Sequence, residues 1–149
     1  MSVDLPCVGV AVLVMRSAGE GHTFLYLRRS GGRFEGHWWP VAGTLEEVEE
    51  PWDCALRELA EETGLVPEVL YATGCSAPHE NGRGCLEIFA AVVAPGAEVR
   101  LNDEHDAYRW CSLEEARAIT PPIGQPHLTE AARLAGLAPP QHPSRSRRQ

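Results

Sequence analysis

Apolar and polar residues follow one another along this chain in patterns that predict several strands and few helices. Val8–Met15 is a continuous apolar run rich in β-branched residues, and Thr23–Arg29 follows it after a polar break. A glycine-rich loop over Ser30–Gly36 leads to a short aromatic strand over His37–Ala42. The same patterns predict four later strands, over Val66–Ala77, Leu86–Ala94, Ala97–Leu101 and Ala107–Cys111.

Helical patterns lie in the middle of the chain and towards its end. The segment Pro51–Thr63 has proline in the first helical position and Gly64 placed for a left-handed C-terminal cap. Ser112 and Glu115 resemble a capping box that opens a short helix, and a further helix is predicted over His127–Ala135. Strands and helices in this mixed order predict an α+β fold.

Length and composition fit one domain, which we place over residues 1–138, followed by a disordered, proline-rich and basic tail over 139–149. The sequence contains no apolar run of membrane-spanning length and no basic leader with a cleavage site. We therefore expect a cytoplasmic protein that does not contact membranes. The five cysteines are typical of reduced thiols; the alternative, a zinc site of Cys75, His79 and Cys85, matches no standard spacing. Both a monomer and a homodimer stay open.

The charges are distributed unevenly along the chain. All 13 basic residues are arginines, which excludes lysine Schiff-base chemistry and a phosphate-binding P-loop lysine. The formal net charge is −8, and the segment 46–62 alone contains eight acidic residues and one arginine. Such a concentrated acidic segment argues against nucleic acid as the main ligand unless a divalent cation lies between them.

The predicted helix over Pro51–Thr63 has an unusual polar face. At about 100° per residue, Trp52, Ala55, Leu56 and Leu59 share the apolar face, whereas Arg57, Glu58, Glu61 and Glu62 share the opposite one. Like charges three and four positions apart repel by roughly a few tenths of a kcal/mol per pair, and the negative end of the helix dipole disfavours them further. A solvated acidic face is the simpler interpretation. Three glutamates converging on one point, however, suit Mg²⁺ or Mn²⁺.

The same residues lie within a spaced motif. Gly43 is followed after five residues by Glu49, and after seven more by the run Arg57–Leu65, which reads RELAEETGL. This arrangement resembles the Nudix box, GxxxxxE, seven residues, then REUxEExGU with U aliphatic, and every defined position is filled. The resemblance implies the Nudix fold, a mixed β-sheet between helices in an α/β/α sandwich, and hydrolysis of a phosphoanhydride bond.

The resemblance also implies roles for individual residues. Glu58, Glu61 and Glu62 would bind Mg²⁺, for which Mn²⁺ can substitute, and the carbonyl group of Gly43 would be an additional ligand. Gly43 would also let a phosphate group approach closely. Glu49 would pair with Arg57 and hold the loop against the helix, because an arginine fork fixes a carboxylate geometrically.

The general base and the substrate-binding residues are less well defined by the sequence. Outside the motif the candidate bases are Glu80, Glu87 and Glu104, and we favour Glu104 because it lies on a predicted rim loop just before a strand; Glu58 is the alternative within the motif. One of Arg28 and Arg29 should face the site and bind phosphate, since neighbouring strand residues point to opposite faces. The candidates for stacking on a base or pterin ring are three tryptophans that otherwise belong to the core, Trp38, Trp39 and Trp110.

The substrate expected from the sequence is a nucleotide-like small molecule. The segment Asn102–Trp110 (NDEHDAYRW) is similar to a segment of the dihydroneopterin triphosphate pyrophosphatase branch of the family. It favours a nucleoside or pterin triphosphate, cleaved to a monophosphate and pyrophosphate. ADP-ribose and dinucleoside polyphosphates are the alternative substrates, although Gly82 and Arg83 occupy the place where dinucleoside polyphosphate hydrolases have a tyrosine. A nucleotide-sensing module without turnover is the alternative from a different functional class.

Overall fold

The computed structural model describes residues 5–19, 21–79 and 82–137, so the predicted tail over 139–149 lies outside the described residues. It contains seven strands and three helices. The strands are β1 (Cys7–Ala18), β2 (Gly21–Arg29), β3 (Trp38–Trp39), β4 (Val41–Thr44), β5 (Val69–Pro78), β6 (Cys85–Val92) and β7 (His105–Cys111). The helices are α1 (Pro51–Thr63), α2 (Leu113–Ile119) and α3 (Gln125–Ala135), and a 3-10 turn over Pro122–Gly124 precedes α3.

The strands form one mixed sheet in the order β3-β2-β1-β6-β5, with β4 paired to β1 and β7 paired to β2. β1 and β6 are parallel, and the other pairs are antiparallel. Each face of the sheet carries its own hydrophobic core. Val10, Val12 and Val14 point towards α1, whereas Leu13 and Met15 point towards α2 and α3. The result is the expected α/β/α sandwich.

The helix ends follow the local signals that predicted them. Pro51 occupies the first turn of α1, and Gly64 ends the helix with φ at 72°, a conformation that glycine adopts without steric cost. Ser112 and Glu115 form both hydrogen bonds of a capping box at the start of α2. None of the described helices is long and apolar enough to cross a membrane.

Two predicted strands differ from the structure. The segment expected as one strand over His37–Ala42 is divided into β3 and β4 at Pro40, which has no N–H group for a ladder. The predicted strand over Ala97–Leu101 is wrong. Its alternate residues do pack against the core, but its backbone joins no strand; instead the Arg100 N–H donates to the carbonyl group of Thr63 at 2.8 Å.

Candidate active site

The loop between β4 and α1 is fastened to the helix by one arginine. Arg57 donates from Nε to Glu49 Oε2 at 2.8 Å and from Nη2 to Glu49 Oε1 at 2.9 Å, and Nη2 also donates to the carbonyl group of Thr44 at 3.0 Å. The hydrogen bonds from Arg57 lower the pKa of Glu49 to about 2. The pairing of these two residues that the motif implied is therefore present, and it fixes where the loop enters α1.

Next to this clamp, two glutamates of α1 form a buried carboxyl pair. Glu62 is only 2% exposed, and its Oε1 has no hydrogen-bond partner. Burial raises the pKa of Glu62 to about 9, and the hydrogen bond to Glu58 adds to the rise. Burial also raises the pKa of Glu58. Glu62 shares a face with Glu58, as expected, but the alternative of a solvated acidic face does not hold for it, because the side chain packs beneath β4, near the backbone of Ala42.

Glu61 lies apart from this pair. Its side chain is 53% exposed, and its Oε1 accepts a hydrogen bond at 3.1 Å from Arg57 Nη1, which also donates to Glu58 at 3.2 Å. Across residues 5–19, 21–79 and 82–137, no three histidine, cysteine, aspartate or glutamate side chains are placed to hold a metal ion. The expected convergence of three glutamates is thus not present in this arrangement, because the Arg57 guanidinium neutralises Glu61 and Glu58 where a cation would. The same result applies to the alternative zinc site, since the described residues that are not placed to hold a metal ion include Cys75, His79 and Cys85.

Two glycines allow β4 to approach its neighbours closely. A β-carbon on Gly43 would overlap the carboxyl group of Glu58, and a β-carbon on Gly9 would overlap the carbonyl oxygen of Gly43. Any side chain at Gly43 would therefore displace Glu58 from its position. This observation gives Gly43 a packing role in the site in addition to the phosphate approach expected from the sequence.

A third carboxylate faces the buried pair from the loop before β7. The charge of Glu104 contributes to the raised pKa of both Glu58 and Glu62, and the Ser30 N–H holds the Glu104 carbonyl group at 2.9 Å. We call Glu58, Glu62 and Glu104 the acidic cluster. Of the other candidate bases, Glu87 lies opposite Val10 in the sheet, and Glu80 is outside the described residues.

The two adjacent arginines of β2 have different surroundings. Arg28 donates from Nε to Asp106 at 2.7 Å and lies on the same face as Trp38. Arg29 is paired with His105 across the sheet, and its charge, after burial, lowers the pKa of His105. Arg29 Nε is buried without a hydrogen-bond partner. Arg29 lies two residues from Leu27, which packs in the core beneath α1, so Arg29 is the arginine on the side of the acidic cluster.

An apolar pocket of about 170 Å³ lies on the other side of β3 and β4. Trp38 and Trp39 form one wall, and Trp39, which is 40% exposed, stacks on Phe34 with 6.2 Å between ring centroids. We call it the tryptophan pocket. The opposite wall, which consists of the segment between α2 and α3, was not predicted from the sequence pattern. The proline pair Pro121–Pro122 was the available signal, since it separates two helices and exposes Ile123.

Known proteins resemble this chain in sequence. The chain is 38% identical over 122 residues to an octanoyltransferase from Myxococcus xanthus, covering 74% of this chain and 32% of that protein. It is 34% identical over 99 residues to the asymmetrical bis(5'-nucleosyl)-tetraphosphatase of Mus musculus, covering 62% of this chain and 66% of that protein. The chain thus spans about a third of the first relative and about two thirds of the second.

Solved structures resemble the fold along most of its length. The binary complex of a C. elegans Ap4A hydrolase superimposes with a TM-score of 0.72 at 27% identity, covering 87% of this chain and 99% of that one. The E. coli dihydroneopterin triphosphate pyrophosphohydrolase superimposes with a TM-score of 0.63 at 20% identity, covering 89% and 97%, and shows the shared fold alone. A sequence profile of the NUDIX domain matches residues 5–132. The chain is therefore a member of the Nudix hydrolase superfamily.

Proposed function

We propose that this chain hydrolyses a phosphoanhydride bond of a nucleotide with the help of Mg²⁺ or Mn²⁺. The observation that carries the proposal is the pair of Glu58 and Glu62, in which the buried Oε1 of Glu62 has no hydrogen-bond partner. Leaving a buried polar group unsatisfied costs about 1 to 3 kcal/mol, and a cation bound by the two carboxylates would remove this cost. The Nudix family, to which the chain belongs, supplies the reaction class.

The donor atoms suit a hard divalent cation. Glu58 and Glu62 offer carboxylate oxygens, Glu61 is within one helical turn, and the Gly43 carbonyl group is on the adjacent strand. Glu61 now accepts a hydrogen bond from Arg57. With a cation at the site, Glu61 would turn from Arg57 to the cation. When bound, the cation withdraws electron density from phosphate oxygens and makes a water molecule easier to deprotonate.

The remaining residues would perform the proton transfer and orient the phosphates. The oxygen of a water molecule attacks phosphorus, the anhydride phosphorus–oxygen bond breaks, and its electron pair goes to the departing phosphate oxygen. Glu104 would accept the proton from the water, and Glu58 is the alternative base. Arg29, on the α1 side of β2, would bind a phosphate oxygen through its guanidinium group. Glu49 and Arg57 would act by positioning Glu58.

Trp39 supports a nucleotide substrate. It is 40% exposed, and because it is paired with Leu27 of the core beneath α1 it faces the same side of the sheet as the acidic cluster, where it can stack on a base. Among nucleotides we place dinucleoside polyphosphates first, because the relative of 34% identity is named for that activity. A nucleoside or pterin triphosphate is the second candidate, supported by the segment Asn102–Trp110 and by Gly82 and Arg83 in place of a tyrosine.

The products of hydrolysis test this order. With Mg²⁺, asymmetrical cleavage of a dinucleoside tetraphosphate gives a nucleoside monophosphate and a nucleoside triphosphate, whereas a triphosphate substrate gives a monophosphate and pyrophosphate. ADP-ribose would give AMP and ribose phosphate. Chromatography of all three reactions, with Glu58→Gln as the inactive control, separates the candidates. Nucleotide binding without turnover of any substrate, with either metal, would instead favour the sensing module.

A further inference from the structure

We propose that a second pocket, lined by Arg16, Arg100, Tyr108 and Trp110, binds the distal nucleotide of a dinucleoside polyphosphate, the half that does not stack on Trp39. The cavity has a volume of about 360 Å³ and lies between the start of the 97–100 segment and β7. We call it the arginine pocket. The inference rests on the proposed function for its substrate, but the pocket itself can be tested separately.

The charges of the arginine pocket suit a phosphate group. In the part of the chain that the structure describes, neither Arg16 nor Arg100 forms an ion pair, although the protein has a net charge of −8. Glu98 is the acidic residue in the lining. Two arginines against one glutamate leave a single net positive charge, which suits one phosphate group better than a whole triphosphate.

The aromatic residues of the pocket suit a base. The guanidinium of Arg16 lies 4.2 Å from the ring centroid of Trp110, and this stacking holds its donors at a fixed place. Tyr108 is 45% exposed, with its ring at the wall of the cavity. A planar ring and a guanidinium side by side can bind the ring and phosphate of one nucleotide at the same time.

The arginine pocket also lies on the correct face of the sheet. Tyr108 is paired with Leu27, whose side chain packs in the core beneath α1, so Tyr108 faces the same side as the acidic cluster. From His105 to Tyr108 of β7 the chain advances at most about 10 Å at 3.3 Å per residue. A polyphosphate chain at the acidic cluster can therefore reach the arginine pocket with one nucleotide, while the other stacks on Trp39, which is paired with Leu27 and faces the same side of the sheet.

The wall formed by Arg100 is attached to the same helix as the acidic cluster. The Arg100 N–H donates to the Thr63 carbonyl group at 2.8 Å, and a β-carbon on Gly64 would lie 3.5 Å from that of Arg100. Because α1 carries both Thr63 and Glu62, the pocket and the carboxylates keep a fixed separation. This rigidity favours one length of polyphosphate chain over others.

Kinetics of two arginine variants test the proposal. Arg16→Gln and Arg100→Gln should each raise the KM for a dinucleoside tetraphosphate, relative to the KM for the matching nucleoside triphosphate, by about tenfold, the effect of one lost charged hydrogen bond. Arg133→Gln, which removes the same charge from α3, is the matched control and should leave the ratio unchanged. An unchanged ratio in the two pocket variants, with their thermal unfolding as in wild type, would overturn the proposal.

Binding without turnover separates this proposal from the proposed function. AMP titrated into wild-type protein in EDTA should show a binding event that Arg16→Gln weakens about tenfold and that Trp38→Ala, in the tryptophan pocket, retains. If no substrate is hydrolysed but this event is present, the proposed function fails and the pocket assignment stands. If AMP binds equally to wild type and Arg16→Gln, the pocket assignment fails whatever the enzyme hydrolyses.

Discussion

The two faces of the central sheet differ in the side chains that they bury. The face towards α2 and α3 is covered by apolar side chains such as Met15, Phe24 and Leu128, all of which are at most 2% exposed. The face towards α1 also has an apolar core, but at its edge it buries Glu62 at 2% exposure with an unpartnered oxygen. A buried carboxyl group of this kind opposes folding, whereas a packed methionine favours it.

The difference teaches which face is retained for stability and which for chemistry. On the α3 face apolar packing dominates, and the one exception on α3 itself is the Nδ1 atom of His127, which is buried without a hydrogen-bond partner among the described residues. On the α1 face, glutamates lie three and four residues apart near the C-terminal end of α1, and Glu62 is buried with one oxygen that has no hydrogen-bond partner. Substitutions at the acidic cluster on the α1 face should therefore lower activity, whereas substitutions in the core of the α3 face should lower stability.

The largest expected effect is the loss of activity when the acidic cluster is altered. Glu58→Gln removes a charge that a cation and the phosphates require, so kcat/KM should fall by about 10²- to 10³-fold, a loss of several kcal/mol of transition-state stabilisation. Glu68→Gln, an exposed glutamate just before β5, is the matched control. Steady-state rates with Mg²⁺ measure both. Equal rates for Glu58→Gln and wild type would contradict the placement of the chemistry on this face.

The opposite face should respond in stability and not in rate. Met15→Ala deletes a fully buried side chain and leaves a cavity, which should lower the free energy of unfolding by about 2 to 5 kcal/mol. Urea unfolding measures this loss, and kcat below the unfolding transition should stay close to that of wild type. If Met15→Ala lowers kcat but leaves the free energy of unfolding unchanged, the distinction between the two faces is wrong.

The same contrast explains what could be read from the sequence. Apolar periodicity, Pro51, Gly64 and the capping box at Ser112 predicted the core elements because each signal acts within a few residues. The spaced motif likewise brought Arg57 to Glu49. These parts of the fold and the site depend on local sequence.

What the sequence did not predict depends on contacts between distant segments. Ala97–Leu101 has the burial pattern of a strand because one side packs on the core, but strand assignment also needs a partner, and its backbone bonds to Thr63 instead. The burial of Glu62 could not be read from a helical wheel, because the wheel does not include β4 above it. The two pockets join segments that are far apart in the chain, so no local pattern reveals them.

A smaller effect should appear in the pH dependence of stability. The pKa of Glu62 is raised from 4.5 to about 9 in the fold, so folding favours its protonated form. Its contribution is therefore fully present below pH 4.5 and is lost as pH rises towards 9. Between pH 7 and pH 9 the metal-free protein should lose about 2 kcal/mol more stability than Glu62→Gln, at up to about 1.4 kcal/mol per pH unit.

Urea unfolding in EDTA at a series of pH values measures this difference, and the chosen window lies above the ordinary pKa of histidine. Millimolar Mg²⁺ should reduce it, because a bound cation stabilises the charged carboxylate that the empty site disfavours. Parallel pH profiles for wild type and Glu62→Gln would mean that burial of the Glu62 carboxyl group does not lower the free energy of unfolding. The two faces would then not differ in this energetic respect.

The smallest expected effect concerns the loop that leads into α1. Val48 has φ at 63° and is 98% exposed, so a β-branched side chain holds a left-handed conformation without any packing to stabilise it. Val48→Asn should raise the free energy of unfolding by about 1 kcal/mol, because asparagine tolerates this conformation. Val66→Asn is the matched control, being 79% exposed without a positive φ. If the free energy of unfolding rises equally in both variants, the increase comes from removing exposed apolar surface and not from relieving backbone strain at Val48.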